Sequence, residues 1–503
     1  MISIMNYQKF FSVFLAASLA CGTFAQAPAE SEDVVLQGFY WDSQNVTGWK
    51  QLRNYSEEMA RSFTCVWLPP SAQAEGSTQV GGNNVGYHPR QWNNQNSCWG
   101  TVEDLKSLIS VFHQHQVKVI ADIVVNHRAG ATDWGNFTQD DFGTYGCFQL
   151  TADHICRTDE MNTDPAAGKW NGMAKGNTDT GENWGGARDL DHTSAYVQQD
   201  VKTYLAWLKG EIGYDGWRYD FVKGFAPKYI EMYNLDSRPY ISVGEFWDGS
   251  YDKVAAWIEG TGRQSMAFDF PMKYAALNEG LAKSNYGKMS WIEDQQTWRP
   301  AGMIHHHKYN RYAMTFVDNH DTYRDGSKFK GYVEQAYAFI LSSPGVPCVF
   351  WPHWRKYQQA IDGQIAARKT AGIHSQSDVT VTVKDQYYES ISEGKHGSLI
   401  CRIGFAAPKE APKGYFLACH GSNWWYYLSE NLTGIEEVTA EAPECRLQGK
   451  HLSVVSATPQ LVQIVTVEGK ILHQCTDKKV EYDLPQGVNL VKVGQHTYKY
   501  VIE

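Results

Sequence analysis

Eight short apolar segments, rich in β-branched residues, recur between residues 34 and 351 and constrain the fold more than any other feature. Amphipathic helix patterns lie between most of them, such as 102–115 and 194–208. Short apolar strands that alternate with helices are typical of parallel sheets, because helical crossovers cover the sheet. Eight of them predict an α/β fold of the (β/α)8 TIM barrel type. The predicted strands are Val34–Trp41, Thr64–Leu68, Val117–Val125, Gly216–Phe221, Tyr240–Phe246, Ser265–Phe270, Tyr312–Asp318 and Pro347–Trp351.

The rest of the chain predicts further domains, because 503 residues are too many for one compact core. A long segment rich in Gly, Asn, Asp and Thr after the third strand predicts an inserted loop domain. Short alternating strands then predict a C-terminal antiparallel β domain and a small β-rich tail domain. The predicted boundaries are 1–26 for a signal peptide, 27–127 and 191–371 for the barrel, 128–190 for the insertion, 372–432 for the antiparallel domain, 433–451 for a linker and 452–503 for the tail.

The N-terminus has the pattern of an export signal. Lys9 precedes an apolar run from Phe10 to Ala20, and small residues follow up to Ala27. We therefore expect the protein to be exported, and either secreted or attached to the cell surface; Cys21 leaves lipid attachment as an alternative. No later stretch is long and apolar enough to predict a transmembrane segment.

A formal net charge of −10 argues against nucleic acid as a partner, and we expect a monomer.

Nine of the ten cysteines remain after removal of the signal, and an odd number leaves at least one free thiol. Cys65, Cys348 and Cys401 lie in apolar, strand-like segments and are expected to be buried thiols. Cys147 and Cys156 lie nine residues apart in a polar region and are the best candidates for a disulfide.

Four of the predicted strands end in polar clusters. The C-terminal strand ends of a barrel form one face, where active sites lie. Each buried carboxylate needs a partner, so four clusters on one face indicate chemistry rather than independent salt bridges. Arg218 and Asp220 share one strand face, and form either a structural salt bridge or a catalytic carboxylate held ionised by a guanidinium. The clusters are Asp122–His127, Arg218–Asp220, Glu245–Asp248 and Asp318–Asp321.

These four segments resemble, in order, the four signature regions of the α-amylase family of glycoside hydrolases. GFYW at 38–41, FTCVWLPPSAQ at 63–73, ADIVVNHRAG at 121–130 and GIHSQS at 372–377 are similar to its plant-type branch. The resemblance runs from Val34 to Leu432. It implies a secreted α-amylase that cleaves internal α-1,4-glucosidic bonds of starch, glycogen and maltooligosaccharides by retaining double displacement. The alternatives are a related transglycosylase, a maltooligosaccharide-forming exo-amylase and a non-catalytic glucan-binding surface protein.

The resemblance also implies roles for single residues. Hydrolysis of a glycosidic bond needs two carboxyl groups that flank it. Asp220 corresponds to the nucleophile and Glu245 to the general acid/base, kept protonated by an apolar wall such as Phe246 or Trp247. Asp321 corresponds to the third carboxylate, which binds sugar hydroxyls, and Asp122 is expected to orient Arg218. The implied substrate-binding residues are Tyr87, His127, Arg218, His320 and Trp41, although a core role for Trp41 at the barrel mouth stays open.

Asn126 suggests a metal, because an amide oxygen is a hard ligand that suits Ca2+. In the family this Asn, an Asp of the insertion and a main-chain carbonyl after the fourth strand hold the inserted domain to the barrel through a structural calcium ion. Asp189 and Gly224 match those two positions. The segment from 131 to 185 within the insertion departs from the plant pattern, which leaves further calcium ligands and sugar subsites open.

The tail lies outside the amylase pattern. Its end, VEGKILHQCTDKKVEYDLPQGVNLVKVGQHTYKYVIE, resembles the C-terminal sorting domain of type nine secretion in the Bacteroidetes, which implies secretion machinery as a partner. An ordinary accessory β-sandwich is the alternative. In the preceding domain Trp424 and Trp425 are candidates for a surface glucan platform, and core packing of at least one is the alternative.

Overall fold

The computed structural model of the protein describes residues 27–75, 85–294, 297–324, 326–433, 444–466, 471–493 and 496–502; the predicted signal peptide lies outside them. Eight parallel strands close a barrel in which each strand pairs with its neighbours in the chain and β1 pairs with β8. The predicted TIM barrel is thereby confirmed. The strands are β1 Val35–Gln37, β2 Cys65–Leu68, β3 Lys118–Ile123, β4 Gly216–Tyr219, β5 Ser242–Gly244, β6 Met266–Phe268, β7 Ala313–Phe316 and β8 Val346–Phe350.

Helices cover the barrel between the strands. The predicted helix at 102–115 illustrates which sequence features make such a segment helical. Thr101 caps its first turn in a reciprocal pair with Asp104. Its apolar side chains repeat with helical spacing and are buried against the strands. The α-helices are α1 Gln44–Thr47, α2 Trp49–Arg53, α3 Ser56–Ser62, α4 Val102–Gln114, α5 Ala195–Trp207, α6 Lys228–Ser237, α7 Tyr251–Gly260, α8 Phe270–Met272, α9 Val333–Ser342, α10 Trp351–Lys356 and α11 Gln358–Ala371.

Most barrel strands are shorter than predicted at their C-terminal ends. β4 ends at Tyr219 and β5 at Gly244, so the next residues, Asp220 and Glu245, lie just beyond the sheet. Chain segments that leave the ladder there are free to turn their polar side chains toward one mouth of the barrel. The register also places Arg218 of β4 directly opposite Asp122 of β3.

The inserted segment between β3 and α5 is held at its base by a short antiparallel ladder, His127–Arg128 with Arg188–Asp189. The disulfide expected between Cys147 and Cys156 is wrong: both are free thiols. Cys147 is exposed in an outer hairpin, whereas Cys156 is buried and donates its backbone N–H to the Asp189 carbonyl (2.9 Å). The three cysteines expected as buried thiols are confirmed as such, namely Cys65, Cys348 and Cys401.

A five-stranded antiparallel sheet follows the barrel, in the order β9-β10-β11-β13-β12. Trp424 and Trp425 in β13 are 0% and 7% exposed, so neither forms the surface platform that was one of the two expectations. Trp424 Nε1 donates to Glu334 Oε2 (3.0 Å), while Trp425 packs with Tyr427 in a separate small core. The strands are β9 Val379–Lys384, β10 Tyr388–Glu393, β11 Ser398–Ile403, β12 Tyr415–Gly421 and β13 Trp424–Ser429.

The tail is a second compact unit, Leu432–Glu503. Its strand β14, Glu444–Gln448, lies inside the segment predicted as a linker, because it pairs with the long strand that follows. Buried Val, Ile and Leu side chains of the paired strands form a core of its own. The other strands are β15 His451–Thr466, β16 Ile471–Asp483, β17 Gly487–Val493 and β18 His496–Ile502. Among the residues described, no helix has the length and apolar character needed to cross a membrane.

Candidate active site

Arg218 is the centre of a charge cluster at the C-terminal mouth of the barrel. Its Nη1 donates to Asp122 Oδ1 and to Asp220 Oδ1, each at 2.7 Å. Its Nη2 lies 2.8 Å from Glu245 Oε1. The guanidinium is 0% exposed, so it meets these carboxylates without competing water. One buried cation therefore holds carboxyl groups from β3, β4 and β5 at a single point, and the expected pairing of Asp122 with Arg218 is present.

Asp122 fixes the orientation of Arg218 from inside the barrel. Its Oδ2 accepts hydrogen bonds from Trp67 Nε1 (3.1 Å) and from the Tyr87 hydroxyl (2.8 Å). Burial raises the pKa of the Asp122 carboxyl, and the charge of Arg218 opposes that rise. Asp122 is buried and is not among the residues that line the cleft. Its role is therefore to orient Arg218 and Tyr87.

Glu245 is held at both oxygens of its carboxyl group. Oε1 faces Arg218, and Oε2 accepts the backbone N–H of Phe221 (3.1 Å). Burial raises the pKa of Glu245 well above its ordinary value, Asp220 and Asp321 raise it further, and Arg218 opposes the rise. A carboxyl group whose pKa is raised in this way is suited to act as a general acid.

Asp321 is a further carboxylate of the site and is held by aromatic and imidazole donors. Trp41 Nε1 donates to its Oδ1 (3.1 Å), and His320 Nε2 lies 3.1 Å from its Oδ2. His320 also stacks on Tyr87, with ring centroids 5.3 Å apart, and its Nδ1 accepts from Gln37 Nε2 (2.9 Å). Burial and the charge of Arg218 lower the pKa of His320 well below its ordinary value, so the ring is neutral.

A cavity of about 770 Å3 opens over these carboxylates. Five of the predicted site residues line it, which are Asp220, Glu245, Asp321, Tyr87 and Trp41. The same wall contains side chains without a predicted binding role, namely His88, Glu182, Trp184, Phe221, Lys223 and Arg324, and also Trp247, which was expected only as an apolar wall for Glu245.

Three residues expected to contact substrate lie behind the cleft wall. Arg218 and His320 are 0% and 1% exposed and act on the carboxylates that face the cleft. His127 is 0% exposed: its Nε2 donates to the Tyr87 carbonyl (2.8 Å), and Trp184 stacks over its ring with centroids 5.3 Å apart. The insertion thus covers His127, and the surface that it would present to a sugar is taken by Trp184.

The insertion contributes one wall of the cleft through a contact that carries no sequence motif. Glu182 pairs with Lys223 (3.0 Å), and its backbone N–H donates to the Lys223 carbonyl (2.8 Å). Gly181 approaches the same loop so closely that a β-carbon would collide with that carbonyl. The only sequence signal for this wall was the length and composition of the insertion.

The three predicted calcium ligands lie together. Asn126 Nδ2 donates to Asp189 Oδ1 (3.0 Å), and the Asn126 amide abuts Gly224, where any β-carbon would collide with it. Burial and the charges of Asp179 and Asp159 raise the pKa of Asp189 to about 8. A buried carboxylate beside other carboxylates is stabilised by a cation, so the donor set fits a hard ion.

The described part of the chain has no group of three or more His, Cys, Asp or Glu side chains arranged as a metal site. The ligands predicted for an ion at this place are the Asp189 carboxylate, the Asn126 amide and the Gly224 carbonyl, a set with fewer than three such side chains.

Comparison with known proteins bears directly on this site. The family described as "Alpha amylase, catalytic domain" matches residues 52–353, which is more than half of the chain. The chain belongs to the alpha-amylase family. It is 32% identical over 374 residues to "Probable alpha-amylase 2" of Arabidopsis thaliana, and the match covers 70% of this chain and 84% of that relative. A plant relative agrees with the plant-type motifs in the sequence.

The chain is also similar to proteins of lower sequence identity. The "Glucan 1,4-alpha-maltotetraohydrolase" of Roseateles saccharophilus is 28% identical over 388 residues, a match that covers 69% of this chain and 63% of that relative. A solved structure of the alpha-amylase from Geobacillus thermoleovorans, complexed with acarbose, superposes with a TM-score of 0.55 at 15% identity and covers 94% of this chain and 98% of that one. At that identity the likeness concerns the fold alone.

The raised pKa of Glu245 predicts a pH-dependent effect of Glu245→Gln on stability. A carboxyl whose pKa is higher in the folded than in the unfolded state adds stability below the unfolded value, about 4.5, and this contribution is lost as pH rises through the folded value. Glutamine does not titrate, so the Glu245→Gln variant does not lose stability in this way as pH rises. Calorimetric melting temperatures of variant and wild type should therefore differ little near pH 4.5, and the variant should be increasingly favoured as pH rises through the folded pKa of Glu245.

Glu182→Gln is the matched control, because the Glu182 side chain is 59% exposed and should give no comparable trend. A stability difference for Glu245→Gln that is the same at every pH would show that the Glu245 carboxyl has no raised pKa in the folded protein.

Proposed function

We propose that the protein is an α-amylase that hydrolyses internal α-1,4-glucosidic bonds in starch, glycogen and maltooligosaccharides with retention of configuration. The observation that carries the proposal is that Asp220 and Glu245 meet the same guanidinium, at 2.7 and 2.8 Å, and both line the cleft. Retention needs carboxyl groups about 5 to 5.5 Å apart, whereas inversion needs about 6.5 to 9.5 Å. Neighbouring nitrogens of one guanidinium favour the shorter spacing.

In the first step Asp220 attacks the anomeric carbon while Glu245 transfers its proton to the glycosidic oxygen. The bond between that carbon and oxygen breaks, and the leaving sugar departs with the proton. The glycone remains as an ester on Asp220, and Glu245 is left as a carboxylate. Arg218 contacts both groups, so it favours the charge on Asp220 before the step and on Glu245 after it.

In the second step the Glu245 carboxylate removes a proton from water, and the resulting oxygen attacks the same carbon. The ester to Asp220 breaks, which restores the carboxylate of Asp220 and the proton of Glu245. Asp321, fixed by Trp41, is placed to bind sugar hydroxyls as the ring flattens in each transition state.

The position of the general acid determines how the glucan chain is oriented in the cleft. Glu245 must face the leaving oxygen, so the leaving chain lies toward Trp247 and the Glu182–Lys223 wall. The chain that stays on the enzyme lies toward Asp321 and Trp41. Arg324 stacks over Trp41 at 4.0 Å and presents guanidinium donors to that side.

A maltooligosaccharide-forming exo-amylase is the second candidate. It is supported by the similarity to the maltotetraohydrolase, since the match to that relative covers 69% of this chain. Endo action is favoured by the alpha-amylase from Arabidopsis, which matches at higher identity and over more of its own length.

We also propose a structural calcium ion between the insertion and the barrel. Asn126, Asp189 and the Gly224 carbonyl would hold it, and it would neutralise the buried carboxylate of Asp189. The ion would fix the insertion, whose Trp184 and Glu182 line the cleft, and so act on substrate binding indirectly.

We further propose that the protein is exported and that its tail unit directs the last stage of that export. The N-terminal signal pattern and the tail motif support this. The tail forms a compact unit with its own buried core, as a separable sorting domain requires.

The catalytic assignment predicts that Glu245→Gln lowers kcat on soluble starch by about 10^3-fold, because the general acid and base are lost together. Binding to insoluble starch should survive, since glutamine keeps the shape of the side chain. Glu57→Gln, at a helix position whose side chain is 75% exposed, serves as the control and should keep full activity. Undiminished hydrolysis by Glu245→Gln would overturn the assignment, and would leave only a glucan-binding role for this site.

The mode of attack is tested with the wild-type protein on amylose, with pullulan as a control for α-1,6 linkages. Endo attack predicts mixed oligosaccharides and a rapid fall in viscosity from the first minutes. One dominant short product with slow loss of viscosity would favour the exo-amylase instead, and disproportionation without net hydrolysis would favour a transglycosylase.

Chelation should lower the melting temperature of the wild-type protein, because it removes the cation that neutralises Asp189. The variant Asp189→Asn should show little response to the chelator, since its buried charge is gone. Calorimetry with and without EDTA, followed by calcium addition, measures both. A wild-type melting temperature that does not respond to EDTA would contradict the calcium site.

Deletion of residues 432–503 removes the whole tail unit and should leave amylase activity intact. The truncated protein should accumulate inside the cell envelope, while the full chain reaches the medium or the cell surface. Fractionation and activity assays of the source cells measure this. Normal release of the truncated protein would refute a sorting role for the tail.

A further inference from the structure

Phe221 directly follows the proposed nucleophile and has a backbone conformation that phenylalanine rarely adopts. Its φ of 42° and ψ of 50° lie in the left-handed region. The β-carbon clashes there with the backbone, so glycine, and to a lesser extent asparagine and aspartate, are the residues that tolerate it. Bulky residues keep such a conformation only where their surroundings enforce it, and these positions cluster at active sites.

The contacts on both sides of Phe221 enforce this conformation. On one side the backbone N–H of Asp220 donates to the Ile123 carbonyl (2.9 Å), which fixes the chain to β3. On the other side the Phe221 carbonyl accepts the N–H of Gly224 (3.1 Å). The phenyl ring packs against Trp184 with centroids 4.9 Å apart.

The left-handed turn determines where the amide of Phe221 points. With the chain fixed before and after it, a change of φ at this residue must be absorbed by rotation of the peptide plane between Asp220 and Phe221. That plane now directs its N–H to Glu245 Oε2 at 3.1 Å. A rotation would remove the N–H from Glu245 and leave that oxygen without its donor.

We propose that Phe221 is a positioning residue whose left-handed backbone holds its amide against Glu245, so that this carboxyl group delivers its proton in one fixed orientation and is then stabilised as the base of the second step. The inference rests on the proposed function, because it requires Glu245 to be the acid and base. Arg218 fixes Oε1 and Phe221 fixes Oε2, so the carboxyl group cannot rotate between the two steps.

The charged groups around Glu245 determine how loss of the Phe221 N–H would change the pKa of Glu245. Arg218, Asp220 and Asp321 face it from the neighbouring strand ends. The Phe221 N–H and Arg218 both lower the pKa of Glu245, against the effects of burial and the two carboxylates. Without the N–H, the carboxylate form is less stable and the pKa of Glu245 rises.

Four variants separate the backbone effect from loss of the ring: Phe221→Gly, Phe221→Asn, Phe221→Ala and Phe221→Val. All four remove the ring, but only Gly and Asn tolerate the left-handed conformation. The measurement is the pH dependence of kcat/KM on a maltooligosaccharide, whose alkaline limb reports the acid in the free enzyme.

The Gly and Asn variants should keep the alkaline limb of the wild type. The Ala and Val variants should move it to higher pH by about one unit, the size expected for one lost hydrogen bond to a charged group, and their kcat should fall about tenfold. Any effect of the missing ring on sugar binding should change KM in all four alike. A limb that moves in all four variants, or in none, would overturn the inference.

A second measurement needs neither substrate nor variants at 221. In protein labelled with 15N-phenylalanine, the amide resonance of Phe221 should titrate with Glu245, and this titration should vanish in Glu245→Gln. Its absence from the wild type would overturn the inference even where Ala and Val prevent folding. Undiminished glucan hydrolysis by Glu245→Gln would instead refute the assignment of Glu245 as acid and base in the proposed function, so the two failures are distinct.

Discussion

The buried guanidinium of Arg218 is the interaction on which the rest of the site depends. It is fully buried among Asp122 of β3 and the residues that directly follow β4 and β5, Asp220 and Glu245. Removal of one partner from such a cluster leaves a charge without compensation in the interior, which costs about 3 to 5 kcal/mol. The carboxylates would repel one another without the guanidinium, and the guanidinium would be unsatisfied without them. The positions of the proposed nucleophile and acid thus follow from charge compensation as much as from the shape of the fold.

Much of this arrangement could be predicted from the sequence, because strand periodicity and strand-end position determine it. Arg218 and Asp122 lie opposite each other in the barrel register, and Asp220, Glu245 and Asp321 follow strand ends, so their convergence needed no side-chain detail. The contacts of the insertion could not be predicted from the sequence in this way. Trp184 covers His127 and Glu182 reaches Lys223, and neither contact follows from local periodicity, since both depend on how a segment without a regular pattern packs. Trp424 and Trp425 show the same limit, because alternation along a strand does not tell which faces another element covers.

Function here is built from features that oppose stability. Glu245 is buried beside two other carboxylates, so its charged form is disfavoured, which suits a proton donor. Phe221 holds a conformation that most residues avoid, and the same residue directs its N–H to that donor. Asp189 is a buried carboxylate next to other acidic groups, at the place where the insertion meets the barrel. These unfavourable local terms are tolerated because the barrel and its helices form a large common core around them.

The central claim is that Asp220 and Glu245, joined through Arg218, stand close enough for double displacement. The stereochemistry of the first product tests this most directly, since it reports the number of displacements at the anomeric carbon. Proton NMR of a maltooligosaccharide digest, followed from the first seconds before mutarotation, resolves the two anomers of the new reducing end. Two successive inversions predict that the α-anomer forms first. A β-anomer formed first would mean a single displacement by water, and would contradict the paired arrangement of Asp220 and Glu245.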